Sequence, residues 1–338
     1  MEYINLGRSG LKVSRVGLGC MSYGVEQRDW RLNEADSRPF IRHALELGIN
    51  YFDTADMYGA GQSEEVLGRA LKDFAQRDEV VIATKIYYPM RADPNGRGLS
   101  RKAIFTGIDA SLRRLDTDFV DLYQIHRWDD ETPLEETLEA LHDVVKMGKA
   151  RYIGASSMMA WQFCKALHTA DQNGWTRFVS MQPHYNLINR EEEREMLPLC
   201  KAEGIGVVPW SPLARGRLTR RWDAPSSSNR VARDQTAARL YSRTEAEDKN
   251  VIDAVGLVAE AAAIPRAQVA LAWLLQQPGV TAPIIGATKH NHLDDAIKAL
   301  AVRLTSDDCA ALECHYVPHP MSFIRGNQGL VGGDLISV

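Results

Sequence analysis

Cysteine is scarce in this 338-residue chain: five thiols (Cys20, Cys164, Cys200, Cys309 and Cys314) are odd in number and form no CxxC pair. That argues against a disulfide framework and points to reduced thiols in a cytoplasmic protein. No apolar run approaches the ~18 residues that a membrane span needs. The opening MEYINLGRSGLKVSRVGLG is charged throughout, so no signal peptide is expected. A strong excess of one sign of charge is missing as well. A formal net charge of −4 argues against nucleic acid or an anionic membrane as partner. No internal repeat shows beyond an alternation of strand and helix patterns. The dinucleotide fingerprint GxGxxG is incomplete in both places where it starts. After Gly17-Leu18-Gly19 its last position is Ser22, and after Gly59-Ala60-Gly61 it is Glu64, which would repel a pyrophosphate. A nicotinamide cofactor would therefore bind without a Rossmann unit. His290 and His292, or His315 and His319, supply too few converging ligands for zinc, and no metal is expected.

What is present is ordinary globular composition, 45% hydrophobic and 25% charged. Short β-branched runs (SRVGLG, GINYFD, EVVIAT, FVDLYQIH, ARYIGAS, FVSMQP, GIGVVPW and TAPIIGA) alternate with helical patterns. Examples of the latter are SRPFIRHALELG, SEEVLGRALKDFA, SRKAIFTGIDASLRRL, PLEETLEALHDVVKMG and EEEREMLPLCKAEG. Leu47-Gly48 and Met147-Gly148 read as helix stops, and Pro133 as a helix start. Eight strand-then-helix units predict an α/β fold, a (β/α)8 TIM barrel forming one domain over residues 1–338. A doubly wound sheet is the runner-up, but it normally carries five to seven strands and a glycine fingerprint after the first. YINLGRSGLKVS reads as an N-terminal hairpin over the bottom of the barrel. The polar stretch 215–246 reads as a long loop after strand 7, a usual place for a lid or binding loop. EEERE at 191–195 reads as a solvated helix start.

Four ionisable residues stand just past or at the ends of apolar runs: Asp53, Tyr58, Lys85 and His126. Acid, phenol, amine and imidazole in one pocket suit proton transfer at a carbonyl oxygen. Each residue alone has a plainer explanation: a structural ion pair, a rim aromatic, a satisfied core histidine. Their joint placement at strand ends favours chemistry, because barrel ligands sit at the C-terminal ends of strands. The later strands end in Ser156-Ser157, Gln182, Trp210-Ser211-Pro212-Leu213 and Gly286-Ala287-Thr288-Lys289. Ser156 and Gln182 suit a carboxamide, and Trp210 a ring to stack on it. Gly286 to Lys289 precede the helix-like HNHLDDAIKAL, a natural phosphate site. Tyr23, Trp30, Tyr87, Tyr88 and Trp128 are candidates for the substrate mouth or for loop anchors.

FDTADMYG, ATK, QIH, IGASS, QPHYNL, WSPLARG and PIIGAT resemble the aldo-keto reductase superfamily, in its order and over nearly the whole chain. The nearest likeness is to bacterial YajO-like reductases and the related potassium-channel β-subunit branch. The resemblance implies NADPH (NADP+) bound in an extended pose and hydride transfer to a small-molecule aldehyde or ketone. It implies Tyr58 as general acid, Lys85 lowering the pKa of Tyr58, Asp53 orienting Lys85, and His126 donating a hydrogen bond to the substrate carbonyl. It also implies cofactor contacts from Cys20, Met21, Ser156, Ser157, Gln182 and Trp210 through Arg215 (Ser211, Pro212, Leu213 and Ala214 between). Gly286, Ala287, Thr288, Lys289, His292 and Asp295 would hold the phosphate and adenine end. Ser157 departs from the common asparagine, and His292, Asp295 and Ala296 depart from the usual adenine contacts. Lys289, Arg215 and Arg221 would compensate and favour NADPH over NADH. The channel branch lacks the catalytic histidine, so His126 favours an enzyme over an NADPH-sensing regulatory subunit. A Schiff-base lyase using Lys85 would need that amine neutral, which a close Asp53 opposes. No residue pattern fixes the oligomeric state.

Overall fold

The eight apolar runs become eight parallel strands in a computed structural model that describes residues 1–24, 31–224, 235–241 and 244–319. A two-stranded antiparallel hairpin, β1 (Tyr3–Asn5) and β2 (Lys12–Ser14), comes first. The barrel strands are β3 (Gly17–Gly19), β4 (Tyr51–Asp53), β5 (Val81–Ile86) and β6 (Val120–Ile125), followed by β7 (Ala150–Ser156), β8 (Phe178–Gln182), β9 (Gly206–Val207) and β10 (Ile284–Gly286). They pair in chain order, with β10 against β3. Backbone bonds from Thr281 N to Val207 O (2.7 Å) and Ile284 N to Pro209 O (2.9 Å) join the last two and close the ring. Each outer strand is shorter than its apolar run because Pro209 and Pro283 have no N–H for the ladder. This is a (β/α)8 barrel.

Leu6 and Val13 of the hairpin pack with Tyr51, Val81, Ala83, Leu122, Val208, Ala282 and Ile284 as one buried cluster, which fills the end where the strands begin. Gly17 has a packing reason: a Cβ there would lie 2.7 Å from the Tyr51 ring. With one end plugged, only the C-terminal ends are left to form a site.

The helices in order are α1 (Glu34–Glu46), α2 (Gln62–Phe74), α3 (Arg101–Leu115), α4 (Leu134–Lys146), α5 (Ala160–Asn173) and α6 (Met196–Glu203). After them come α7 (Gln235–Tyr241), α8 (Glu245–Ala262), α9 (Arg266–Gln276), α10 (His290–Ala299) and α11 (Ser306–Glu313). Asn33 caps α1 by accepting from Asp36 N at 2.8 Å. Gly48 and Gly148 follow α1 and α4 with φ of 82° and 74°, as the helix stops require. No single helix among the described residues is long and apolar enough to cross a membrane.

Two expectations change. The polar stretch 215–246 is not simply loop: α7 lies inside it and buries Leu240 and Tyr241. The EEERE run is not a solvated helix start. Glu191 and Glu192 are buried, and Glu191 Oε1 accepts from Tyr316 Oη (2.6 Å) and His319 N (2.7 Å). Burial, with Glu191 adjacent, pushes the Glu192 carboxyl up to about 8. His319 belongs to the same buried region, with its ring against Asp248 at 2.9 Å.

Candidate active site

β4 ends at Asp53, β5 carries Lys85 as its penultimate residue, and His126 follows β6, so three adjacent strands deliver three of the four groups to one mouth. Tyr58 arrives differently. It opens a tight turn, Tyr58–Gly61, in which Gly59, Ala60 and Gly61 all have positive φ (61°, 53° and 100°). Glycine relieves that backbone at two of the three positions. The turn is fixed against α3, since a Cβ at Gly61 would lie 2.5 Å from Arg114 Cδ. Glu64, one turn further on, is fully buried and accepts from Thr84 Oγ1 (2.5 Å) and Arg114 Nε (2.6 Å). It ties α2 to the barrel rather than facing a pyrophosphate.

Lys85 has no solvent exposure and gives one proton to Asp53 Oδ1 (2.6 Å) and another to the Thr54 carbonyl (2.8 Å). Asp53 Oδ2 accepts from Gln182 Nε2 (2.9 Å) and Gln124 Nε2 (3.1 Å). The Lys85 ammonium stands 5.1 Å from the centroid of the Tyr58 ring. His126 meets Tyr58 edge-on, with centroids 5.8 Å apart, and meets Tyr88 in the same way at 5.0 Å. Acid, amine, phenol and imidazole therefore form one contiguous group.

The electrostatics give the amine, the phenol and the imidazole definite protonation states. Burial opposes charge on Lys85, but Asp53 and Tyr58 outweigh it and hold the amine above its ordinary value, so it is an ammonium. That disfavours a Schiff-base nucleophile. Tyr58 keeps part of its surface open to the mouth, yet the protein packed around it raises its hydroxyl. Lys85 pulls the other way, with the sign expected from sequence, but does not prevail. Tyr58 is thus a phenol with a proton to give. Burial first, then Lys85 and Arg127, push His126 well below the usual histidine range, so its ring is neutral. His126 Nδ1 is buried with no hydrogen-bond partner among the described residues.

On the opposite wall, Ser156 Oγ donates to the Gln182 carbonyl (2.9 Å), and Ser157, at φ 47°, accepts from Trp210 Nε1 (3.0 Å). Gln182 gives one N–H to Asp53, which leaves its Oε1 as the acceptor that could address a carboxamide. One face of Trp210 is stacked on His184, 4.1 Å between centroids at 12°. His184 is buried and bonded to Tyr241 Oη (2.8 Å) and Asn189 Nδ2 (2.5 Å), while Asn186 Nδ2 donates to the Ser211 carbonyl at 2.9 Å. Ser211, Ala214 and Arg215 have positive φ, and Pro212 and Ala214 are buried, with Leu213 half-buried between them. Gly286 and Lys289 are exposed at the end of β10 and the start of α10, with Ala287 buried and Thr288 half-buried. Thr288 N donates to His292 Nδ1 (3.3 Å), and Asp295 accepts from Gln268 (2.8 Å). Cys20 is buried at the end of β3, its N–H on the Asp53 carbonyl (2.8 Å), and burial raises its thiol; Met21 beside it is partly exposed.

Some candidates land elsewhere. Tyr23 is fully buried and donates to the Ala287 carbonyl (3.0 Å), so it anchors β3 to β10 instead of lining the mouth. Arg221 is exposed in an ion pair with Asp223 (3.2 Å) and borders a groove of about 380 Å³ with Asp253, Leu257 and Glu260, away from the strand ends. Trp30 lies outside the described residues. Tyr87, Tyr88 and Trp128 do gather at the rim. Tyr87 meets Tyr88 edge-on at 5.3 Å, and Trp128 leans on exposed Trp161 at 6.3 Å. Sequence reasoning passed over Gln124, though it opens the QIH motif, and His184 and Tyr241, whose meeting across 57 positions leaves no local signal.

A (β/α)8 barrel with a buried Asp-Lys pair, a phenol and a neutral imidazole at its open end is the frame of a carbonyl oxidoreductase. The chain belongs to the aldo/keto reductase family, whose profile matches residues 15–317. It is 48% identical to the versiconal hemiacetal acetate reductase of Aspergillus parasiticus, covering 95% of this chain and 99% of that one. It is 42% identical to the aldo-keto reductase dtxS3 of Metarhizium robertsii, over 94% and 92% of the two chains. A putative aryl-alcohol dehydrogenase of Saccharomyces cerevisiae is 40% identical, over 94% and 98%. These relatives are fungal and do not bear out the narrower likeness to the bacterial and channel-subunit branch. The protein is an oxidoreductase.

Proposed function

We propose that this oxidoreductase reduces aldehydes or ketones with NADPH, and that its substrates are flat aromatic carbonyl compounds. The observation that carries the reading is the contiguous group Asp53–Lys85–Tyr58–His126 at the open end of the barrel. Tyr58 gives its proton to the carbonyl oxygen, and the Lys85 ammonium stabilises the phenolate left behind. Asp53, held by three donors, keeps Lys85 oriented. Neutral His126 offers an N–H to the same oxygen as negative charge builds there, which is often the largest catalytic contribution.

NADPH, when bound, supplies the hydride to the carbonyl carbon. The residues suit it: Gln182 Oε1 and the Ser157 hydroxyl face a carboxamide, and Trp210 walls the site. Exposed Lys289 stands at the N-terminus of α10, where backbone N–H groups favour phosphate. The aromatic rim, together with relatives named for aryl alcohols, supports flat aromatic substrates. Tryptophan-fluorescence titration with NADPH and NADH, followed by NADPH oxidation with paired aryl and alkyl aldehydes, tests the reading. Tight NADPH binding with faster turnover of aryl aldehydes is expected. Binding without turnover of any carbonyl would return weight to a regulatory NADPH-sensing role.

A further inference from the structure

Gln124 is fully buried beside Lys85 and Asp53, and among the three donors to Asp53 it is the one with no part of its own in the reaction so far. β6 pairs Gln124 with Lys85 on one side and with Gly154 on the other. A Cβ at Gly154 would lie 3.1 Å from Gln124 Cγ and 2.4 Å from Ser180 Oγ, so the missing side chain gives the amide its room. Gln124 Nε2 reaches Asp53 Oδ2 at 3.1 Å, while its Oε1 is buried with no partner among the described residues. Leaving a buried amide oxygen unsatisfied is costly. An apolar residue of the same size would fill the space without that penalty, so the N–H···Asp53 bond is what the amide provides.

We propose that Gln124 is a positioning residue that sets how strongly Lys85 acts on Tyr58, by drawing the charge of the Asp53 carboxylate toward Oδ2. The proposal rests on the reading of Tyr58 as proton donor. Lys85 touches Oδ1 and Gln124 touches Oδ2. Each N–H given to Oδ2 counters negative charge that would otherwise offset the ammonium at Tyr58. Without that donor the phenolate of Tyr58 is less favoured. Alcohol oxidation with NADP+ needs the phenolate, so its rate climbs with pH through the Tyr58 transition.

The test is the pH profile of aryl-alcohol oxidation by wild type, Gln124→Met and Gln124→Leu, with NADPH binding measured alongside. Both variants are expected to move the midpoint of the rise upward by about half to one pH unit, with NADPH affinity within about twofold of wild type. A midpoint does not depend on the fraction of active protein, so partial misfolding cannot mimic the shift. Variants that merely lose rate at an unchanged midpoint, or move it downward, would overturn the proposal and reduce Gln124 to a packing role. A wild type that turns over no carbonyl or alcohol would instead remove the functional reading, and the proposal with it.

Discussion

Lys85 and Asp53 are both essentially out of water, and such a pair is more informative about function than about stability. Bringing two charges inside a barrel is offset only by close geometry and by satisfying every remaining donor and acceptor, as the Thr54 carbonyl and two glutamines do here. Lys85→Met leaves a buried carboxylate without its cation and is expected to cost about 3–5 kcal/mol in urea unfolding besides abolishing turnover. His126 carries a different prediction. Because burial and two neighbouring cations keep its ring neutral, the pH profile of carbonyl reduction should show no acidic limb near the ordinary histidine value of about 6.5. An acidic limb there that disappears in His126→Asn would show that the ring works as a cation. At this scale the sequence was most legible: Asp53, Tyr58, Lys85 and His126 each sit at the end of an apolar run, and the structure brings all four together. Gln124 was not legible, since a glutamine inside a strand pattern reads as an interruption until its partner is known.

At the scale of elements, two parts of the chain far apart in sequence make the wall behind Trp210. His184 follows β8 and Tyr241 ends α7, and their 2.8 Å bond braces the ring on which Trp210 is stacked. Tyr241→Phe removes only that hydroxyl and leaves His184 and Asn186 short of a buried partner. A loss of about 1–3 kcal/mol in unfolding free energy is expected, together with a raised KM for NADPH and a smaller effect on kcat. Equal loss in both constants would place the wall in catalysis rather than in cofactor binding. The start of α10 carries its own prediction. Lys289→Met should weaken NADPH binding about tenfold and NADH binding far less, since a lysine beside a helix N-terminus answers to phosphate charge. The eight strands and the helices with glycine stops were readable because period and punctuation agreed. α7 was hidden, because Leu240 and Tyr241, which turn inward, stand at the end of a polar stretch. The buried Glu191 was hidden too, since its partners Tyr316 and His319 lie 125 and 128 positions away, and nothing local marks Glu192 as buried beside it.

For the whole molecule, buried groups of two kinds, neutral histidines and the Glu192 carboxyl, set how it responds to acid. His184 is pushed down to about 3, by burial first and then by Arg215, Arg127 and His319, and His126 is lowered in the same direction. In the unfolded chain both titrate near 6.5. Between that value and about 3 the unfolded state binds protons that the folded histidines refuse, so their contribution to stability is full above pH ~6.5 and falls on acidification, while Glu192, raised to about 8, gains on acidification and offsets part of that fall. Thermal unfolding followed from pH 7 to 4 should show His184→Gln losing less Tm on acidification than wild type, and an identical pH dependence in the two would contradict this. The barrel as a whole was foreseeable from eight strand-helix units, but its closure was not: Pro209 and Pro283 shorten the two strands that meet there, and bonds outside the regular ladder complete the ring. The account turns on Tyr58 as the proton donor, and Tyr58→Phe tests it most directly, with NADPH binding and aryl-aldehyde reduction measured on the same preparation. The expected result is NADPH affinity close to wild type with kcat reduced about 10²- to 10⁴-fold; turnover near the wild-type rate would contradict it.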